Sequence, residues 1–105
     1  FLSHPDTPLG TEPHGSAMLT LRAVALARLL LPHANLPVTT ALGVLDRAAA
    51  DRVYESGGNV VMRKVTPSRL RKLYQIYPAE FSETTIAEGR RQLEEELRNR
   101  GKTPV

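Results

Sequence analysis

Two short β-branched segments, separated by a helix-like stretch, determine the fold class of this chain. Residues 36–42 (LPVTTAL) and 59–62 (NVVM) are bounded by turn-forming residues, and they begin about 23 residues apart. Strands at this spacing with helices between them are typical of βα repeats, which form parallel sheets through right-handed crossovers. The sequence therefore predicts an α/β protein with a parallel sheet.

The helix before the first of these strands has clear end signals. Ser16 is a suitable N-cap for a helix over residues 17–31, and Pro32 ends it. Helical periodicity predicts one broad apolar side, made of Leu19, Leu26, Leu29 and Leu30. A preceding segment of twelve residues, HPDTPLGTEPHG, contains three prolines and two glycines and is predicted to be a loop.

Three further helices are predicted from capping residues and apolar spacing. The first runs from its cap Asp46 to Ser56, has Ala49, Ala50 and Val53 on its inner face, and ends at Gly57-Gly58. The second is capped by Thr66, begins at Pro67 and ends at Pro78, and its apolar stripe consists of Leu70, Leu73, Tyr74 and Tyr77. The third begins with a Thr85/Glu88 capping box, extends to Arg100 and is followed by Gly101. The last helix has a thin apolar stripe, so we expect it to be peripheral.

Composition limits the classes of function. The chain has 105 residues, no cysteine and a net charge of +3. The lack of cysteine excludes disulfides, a cysteine nucleophile and iron–sulfur ligation by residues within this chain. No apolar run is long enough for a membrane span, and the basic residues lack the interleaved aromatics of a nucleic-acid platform. Because Phe1 is not an initiator methionine, we expect the natural protein to begin upstream.

Ligands of parallel α/β proteins bind at the carboxyl ends of the strands, which selects three places in this chain. Residues 4–9 follow a short apolar start, and residues 39–43 and 62–67 follow the two predicted strands. Thr39 and Thr40 supply adjacent hydroxyl groups, although β-branched residues are also ordinary strand residues. Arg63 and Lys64 precede a predicted helix start, where they belong either to an anion site or to a solvated loop. The sequence contains no catalytic or metal-ligand motif.

Three stretches taken together resemble the C-terminal part of radical S-adenosylmethionine (SAM) enzymes. The most similar family is HydE, the maturases of FeFe-hydrogenase, which are related to biotin synthase. The resemblance rests on FLSHPDTPL, LLLPHANLPVTTALG and GGNVVMRKVTPSRLRKLYQIYP, in this order and spacing. The HPDTPL motif and the tyrosine–proline ending are its more specific parts, and residues 79–105 carry no recognised motif.

The resemblance implies a (β/α)8 barrel of which this chain is roughly the last third. Residues 1–2 would end the sixth strand, and the two segments above would be the seventh and eighth. Residues 1–78 would then be barrel units, with residues 79–105 as a peripheral helix and tail. The family is cytoplasmic and uses a 4Fe-4S cluster to cleave SAM into methionine and a 5′-deoxyadenosyl radical, which acts on a small substrate in assembly of the hydrogenase active site. The cluster ligands would lie upstream, and other maturation proteins would be partners.

The resemblance also assigns individual residues. Leu2 corresponds to an apolar residue that packs on SAM, Tyr77 to a tyrosine near bound SAM, and Tyr74 to its neighbour. Thr39, Thr40 and Met62 correspond to residues that line the substrate cavity. The chain departs from the family at Arg63-Lys64, where Pro-Asn is expected, and this difference affects the polarity of the cavity mouth.

Two other hypotheses remain open from the sequence. The chain is also compatible with a relative of biotin synthase or methylornithine synthase, which are radical SAM enzymes with other substrates. A non-enzymatic α/β module that binds an anion through its basic helix start is the third hypothesis.

Overall fold

A computed structural model describes residues 1–71, 73 and 84–105 of the chain. These residues form two compact units, Phe1–Met62 and Arg63–Val105. The first unit contains α1 (Ala17–Leu30), β1 (Pro37–Val38), α2 (Thr40–Leu45), α3 (Arg47–Arg52) and β2 (Val60–Val61), and the second contains α4 (Ser68–Arg71) and α5 (Ile86–Asn99). The predicted domain boundary at residues 78 and 79 lies outside the described residues.

The two strands form a parallel pair, with Pro37 opposite Val60 and Val38 opposite Val61. This pairing confirms the predicted α/β class with a parallel sheet, whereas a barrel is not seen in the described residues. The predicted strand over residues 36–42 is wrong at its carboxyl end, because helix α2 begins at Thr40. Leu42 on α2 is only 4% exposed, and α2 packs against α3. Burial of Leu42 therefore outweighs the strand preference of the two threonines.

Helix α1 confirms its predicted cap but not its predicted buried side. The Ser16 hydroxyl accepts a hydrogen bond from the Leu19 amide, and the helix ends at Leu30, two residues before Pro32. Its buried residue is Leu21, at 4% exposure, and α1 packs against α3. The leucines predicted to form its apolar side are exposed to between 57% and 80%: Leu19, Leu26, Leu29 and Leu30.

Helix α3 has the predicted start and inner face but ends early. The Asp46 carboxylate accepts from the Ala49 amide, and Ala49 and Val53 are buried as predicted. The helix ends at Arg52, not Ser56, because the chain then tightens into turns in which Gly58 N donates to the Val53 carbonyl at 2.9 Å. Together with α1 and α2, α3 contributes to a small core of the first unit, made of Leu21, Leu42, Ala49, Val53 and Tyr54.

An arginine fork ties α1 to the turn before β2. Arg28 donates through Nε and Nη2 to the Gly57 carbonyl at 3.0 and 2.9 Å, and through Nη1 to the Pro32 carbonyl at 2.7 Å. Gly57 has a φ of +111°, which confirms its predicted left-handed conformation. The fork therefore fixes the end of α1 relative to the turn that leads into β2.

The second unit confirms the last predicted helix closely. Thr85 and Glu88 form the capping box of α5, and Gly101 follows with a φ of +67°. Helix α4 begins at Ser68, so the prediction of Pro67 as its first residue is wrong by one position. Its predicted continuation through Tyr74, Tyr77 and Pro78 lies outside the described residues. No helix in the described part of the chain is long and apolar enough to cross a membrane.

Candidate functional site

The carboxyl ends of β1 and β2 bring two predicted site residues to the same edge of the sheet. Val38 pairs with Val61, so the next residues along the two strands are Thr39 and Met62. Neighbouring strands lie about 4.8 Å apart, which makes these two positions adjacent. Met62 is 72% exposed and Thr39 is also exposed. Thr39 and Met62 can therefore contribute to one ligand-binding surface.

The backbone turns between the two threonines. Thr39 is extended, with φ −86° and ψ 143°, whereas Thr40 is the first residue of α2. Side chains alternate between faces only while a strand continues, so this turn frees Thr39 and Thr40 from lying on opposite faces. Thr39 occupies the N-cap position, yet its side chain makes no capping hydrogen bond. Both side chains are exposed, which suits a role in ligand binding.

Leu2, which is predicted to contact SAM, is half-buried in a segment without regular structure. Among the described residues, 1–3 form no strand, so the predicted end of a sixth strand is not seen. Residues 4–12 form consecutive turns, as predicted for a loop, with amide-to-carbonyl bonds between Thr7 and His4, Gly10 and Thr7, and Glu12 and Leu9. The structure therefore places Leu2 at the base of a compact loop.

The base of this loop is closed by two contacts, which we call the His14 clasp. Gly15 N donates to the Phe1 carbonyl at 2.9 Å, and Ser3 N donates to Nδ1 of His14 at 3.1 Å. The Ser3 hydroxyl lies 2.9 Å from the same nitrogen. The sequence analysis assigned no role to His14 and missed this contact. A serine and a histidine on either side of a proline- and glycine-rich loop are the signal that was available.

The basic segment after β2 is engaged by α5. Nη2 of Arg63 donates to a Glu96 oxygen at 3.1 Å, and the other oxygen of Glu96 lies 3.7 Å from Nη2 of Arg100. Glu96 therefore partly offsets the charge of Arg63, and both Arg63 and Lys64 are exposed. This ion pair weakens the hypothesis of an anion site at Arg63-Lys64.

Hydrogen bonds on α5 shift the acidity of two carboxyl groups. The Thr85 backbone N–H, and then its hydroxyl, hold the pKa of Glu88 below its ordinary value. The hydrogen bond from Arg90, at 2.8 Å, lowers the pKa of Glu94. Both groups are at the surface and serve capping and helix pairing. These hydrogen bonds stabilise helix α5, and they indicate no acid–base chemistry.

The described residues contain no cluster of three His, Asp or Glu side chains that would hold a metal ion. The predicted SAM contacts Tyr74 and Tyr77 lie outside the described residues. The structure therefore places Thr39 and Met62 at neighbouring strand ends, with Thr40 next along the chain, whereas Leu2 lies in another segment, between the two residues held by the His14 clasp.

Comparison with known proteins identifies a relative. No protein-family model matches the chain. The chain is 48% identical over 81 residues to the "[FeFe] hydrogenase maturase subunit HydE" of Thermotoga maritima. The match covers 77% of this chain and 23% of that protein, so the chain spans about a quarter of the relative's length. The resemblance to the HydE family that the sequence motifs predicted is confirmed.

Proposed function

We propose that this HydE-like chain is the C-terminal part of a longer radical SAM enzyme that acts in the maturation of FeFe-hydrogenase. The observation that carries the proposal is the 48% identity to HydE over 81 residues. Identity at this level extends over most of the chain and includes more than isolated motifs. Because the match covers 23% of the relative, the rest of the enzyme must supply most of the fold and chemistry.

The exposed apolar surface of the first unit supports a barrel in the longer protein. An open groove of about 380 Å³ lies beside β1, lined by Leu19, Thr20, Ala23, Val24, Ala27, Leu36 and Pro37. A two-stranded sheet is marginally stable alone, and apolar surface of this kind is normally covered. We infer that the missing strands and helices of the (β/α)8 barrel cover this groove and the leucines of α1.

In this proposal the chain contributes residues to the SAM site, whereas the ligands of the 4Fe-4S cluster come from elsewhere in the longer protein. Leu2 is half-buried, so part of its apolar surface remains available for a van der Waals contact with SAM. The chain has no cysteine, so the thiolates that hold a 4Fe-4S cluster would come from the rest of the longer protein. When bound, the cluster and SAM would supply a 5′-deoxyadenosyl radical. In this proposal Leu2, Tyr74 and Tyr77 hold SAM.

The surface at the strand ends would bind the small substrate. The Thr39 and Thr40 hydroxyl groups can each donate a hydrogen bond to an anionic or carbonyl-like group. The Met62 thioether is polarisable and apolar, which suits a wall against a soft, weakly polar ligand. In this role the three residues orient the substrate. Binding at the carboxyl ends of parallel strands is the usual arrangement in α/β barrels.

The other two hypotheses are less well supported. Biotin synthase and methylornithine synthase share the radical SAM chemistry, but the similarity found is to a HydE protein. The anion-binding module depends on Arg63, whose guanidinium group is paired with Glu96. The HydE-type proposal therefore accounts for more of the observations.

A maturation assay tests the proposed substrate class. The longer protein, reconstituted anaerobically, should restore hydrogenase activity in a maturation reaction that lacks HydE. Formation of biotin or methylornithine in place of active hydrogenase would favour the related enzymes.

A further inference from the structure

The His14 clasp anchors the residues on both sides of Leu2. Phe1 is held through its carbonyl by Gly15 N at 2.9 Å, and Ser3 is held through its amide by His14 at 3.1 Å. Leu2 lies between these two anchored residues in the chain. Its backbone position is therefore set by residues 14 and 15, which follow the loop, as much as by its own neighbours.

The chemistry of the Ser3–His14 contact defines the role of the imidazole. A backbone amide can only donate, so Nδ1 of His14 must be the acceptor and carries no proton in this arrangement. The ring proton is then on Nε2, and the Ser3 hydroxyl shares the same acceptor at 2.9 Å. His14 thus acts in the clasp through an acceptor atom and not through charge.

Close backbone approach completes the clasp. A Cβ atom added to Gly15 would lie 2.6 Å from Phe1 N, well inside van der Waals contact. Residue 15 can therefore approach Phe1 this closely only because it lacks a side chain. The turns within residues 4–13 make the loop a self-contained unit, so its base is the part that sets the position of Leu2.

We propose that His14 is a positioning residue for SAM binding, which acts by holding Ser3 and thereby fixing Leu2 against the cofactor. This inference rests on the proposed function, because Leu2 has this role only in a SAM-binding enzyme. His14 itself makes no contact with SAM in this account. Loss of the acceptor atom should loosen Leu2 and weaken binding of SAM, while the chemistry at saturating SAM is unaffected.

The test uses the longer, anaerobically reconstituted protein and measures the SAM dissociation constant by calorimetry. His14→Ala should weaken SAM binding about fivefold, the factor expected for one hydrogen bond. His14→Asn should restore it, because the Asn amide oxygen stands near the position of Nδ1 and also accepts. His33→Ala, at an exposed histidine outside the clasp, is the matched control and should bind as the wild type does.

Two further readouts separate positioning from a general structural effect. Hydrogen exchange at the Ser3 amide should accelerate in His14→Ala and recover in His14→Asn, while exchange at core amides such as that of Val53 stays unchanged. The KM for SAM should rise in His14→Ala with kcat unchanged.

Each contrary result has a distinct meaning. Equal SAM affinity in the wild type and His14→Ala would overturn the positioning role alone. Equal weakening in His14→Ala and His14→Asn would overturn it as well, because the acceptor atom would not be the cause. A wild-type protein that holds its cluster and fails to bind SAM would overturn the proposed function, and the positioning role with it.

Discussion

Thr39 and Met62 occupy equivalent positions at the ends of two paired parallel strands, each one residue beyond the Val38–Val61 pair. This register places the two exposed residues next to each other at one edge of the sheet. Thr40 follows Thr39 as the first residue of α2, because the backbone turns immediately after Thr39. A shift of either strand by one residue would separate these side chains. The short β1–β2 ladder is therefore what defines the proposed substrate surface.

Removal of both hydroxyl groups should separate substrate turnover from SAM cleavage. In the longer protein, Thr39→Val combined with Thr40→Val keeps the side-chain shape and removes the two donors. We expect kcat/KM for the substrate to fall about 10- to 100-fold, the loss for one to two charge-assisted hydrogen bonds. SAM cleavage without substrate should be unchanged, as measured by release of 5′-deoxyadenosine.

Thr103→Val is the control for this double variant, because Thr103 is exposed in the C-terminal tail. It should affect neither activity. Equal loss of substrate turnover and SAM cleavage in the double variant would contradict the assignment of the two threonines.

Gly57→Ala should destabilise the protein. Gly57 has a φ of +111°, and a Cβ atom there would lie 2.6 Å from the Cβ of Arg28. The left-handed backbone costs about 1 kcal/mol or more for alanine, and displacement of the Arg28 fork adds to it, so we expect a loss of about 2–3 kcal/mol. Urea unfolding measures the change. Gly89→Ala is the matched control.

The control Gly89→Ala should change the free energy of unfolding in the opposite direction. Gly89 lies inside α5, and no atom is within 4 Å of its added Cβ. Alanine there should stabilise the protein by about 0.5–1 kcal/mol through helix propensity. If both substitutions were neutral, the close contact between residues 28 and 57 would have no energetic role.

A charge on the exposed side of α1 should be costly in the longer protein. Leu29 is 80% exposed in this chain. If the rest of the barrel covers that side, Leu29→Lys buries a charge and should cost about 2 kcal/mol or more in urea unfolding. Gln92→Lys, at an exposed position of α5, is the control and should change stability by less than about 0.5 kcal/mol. Similar tolerance of both lysines would contradict coverage of α1.

The stability that the capping box contributes to α5 should decrease at low pH. Hydrogen bonds from the Thr85 backbone and hydroxyl lower the pKa of Glu88 from its ordinary value of 4.5. A lowered folded-state pKa means that the contribution of the cap is present above pH 4.5 and is lost as the pH falls through the folded-state value. An NMR titration of the Glu88 carboxyl measures this pKa.

Thr85→Val should raise the pKa of Glu88 only part of the way, because the backbone N–H of residue 85 remains. Glu88→Gln should remove the pH dependence of the cap. A Glu88 pKa at or above 4.5 in the unmodified protein would contradict the capping geometry.

The local elements could be predicted because their signals are local. Ser16, Asp46 and the Thr85/Glu88 pair cap their helices as their residue types and spacing indicated. The left-handed Gly57 and the parallel pairing of the two strands also followed from short sequence patterns. These features depend on a few neighbouring residues, which the sequence shows directly.

The buried side of α1 could not be predicted, because burial depends on what packs against the helix. The periodicity selected Leu19, Leu26 and Leu29, whereas the buried residue of α1 is Leu21, and α1 packs against α3. The carboxyl end of β1 was also mispredicted, since the Thr-Thr pair suits a strand and the tertiary burial of Leu42 favours a helix. The His14 clasp joins residues 11 positions apart, and no periodic pattern marks such a contact.

Cleavage of SAM by the longer protein tests the central proposal most directly. The protein is reconstituted anaerobically with iron and sulfide, reduced and supplied with SAM, and 5′-deoxyadenosine is then quantified. Wild-type protein should form 5′-deoxyadenosine, and Tyr77→Ala should do so with weakened SAM binding. A protein that assembles its cluster and forms no 5′-deoxyadenosine would contradict the assignment of this chain to a radical SAM enzyme.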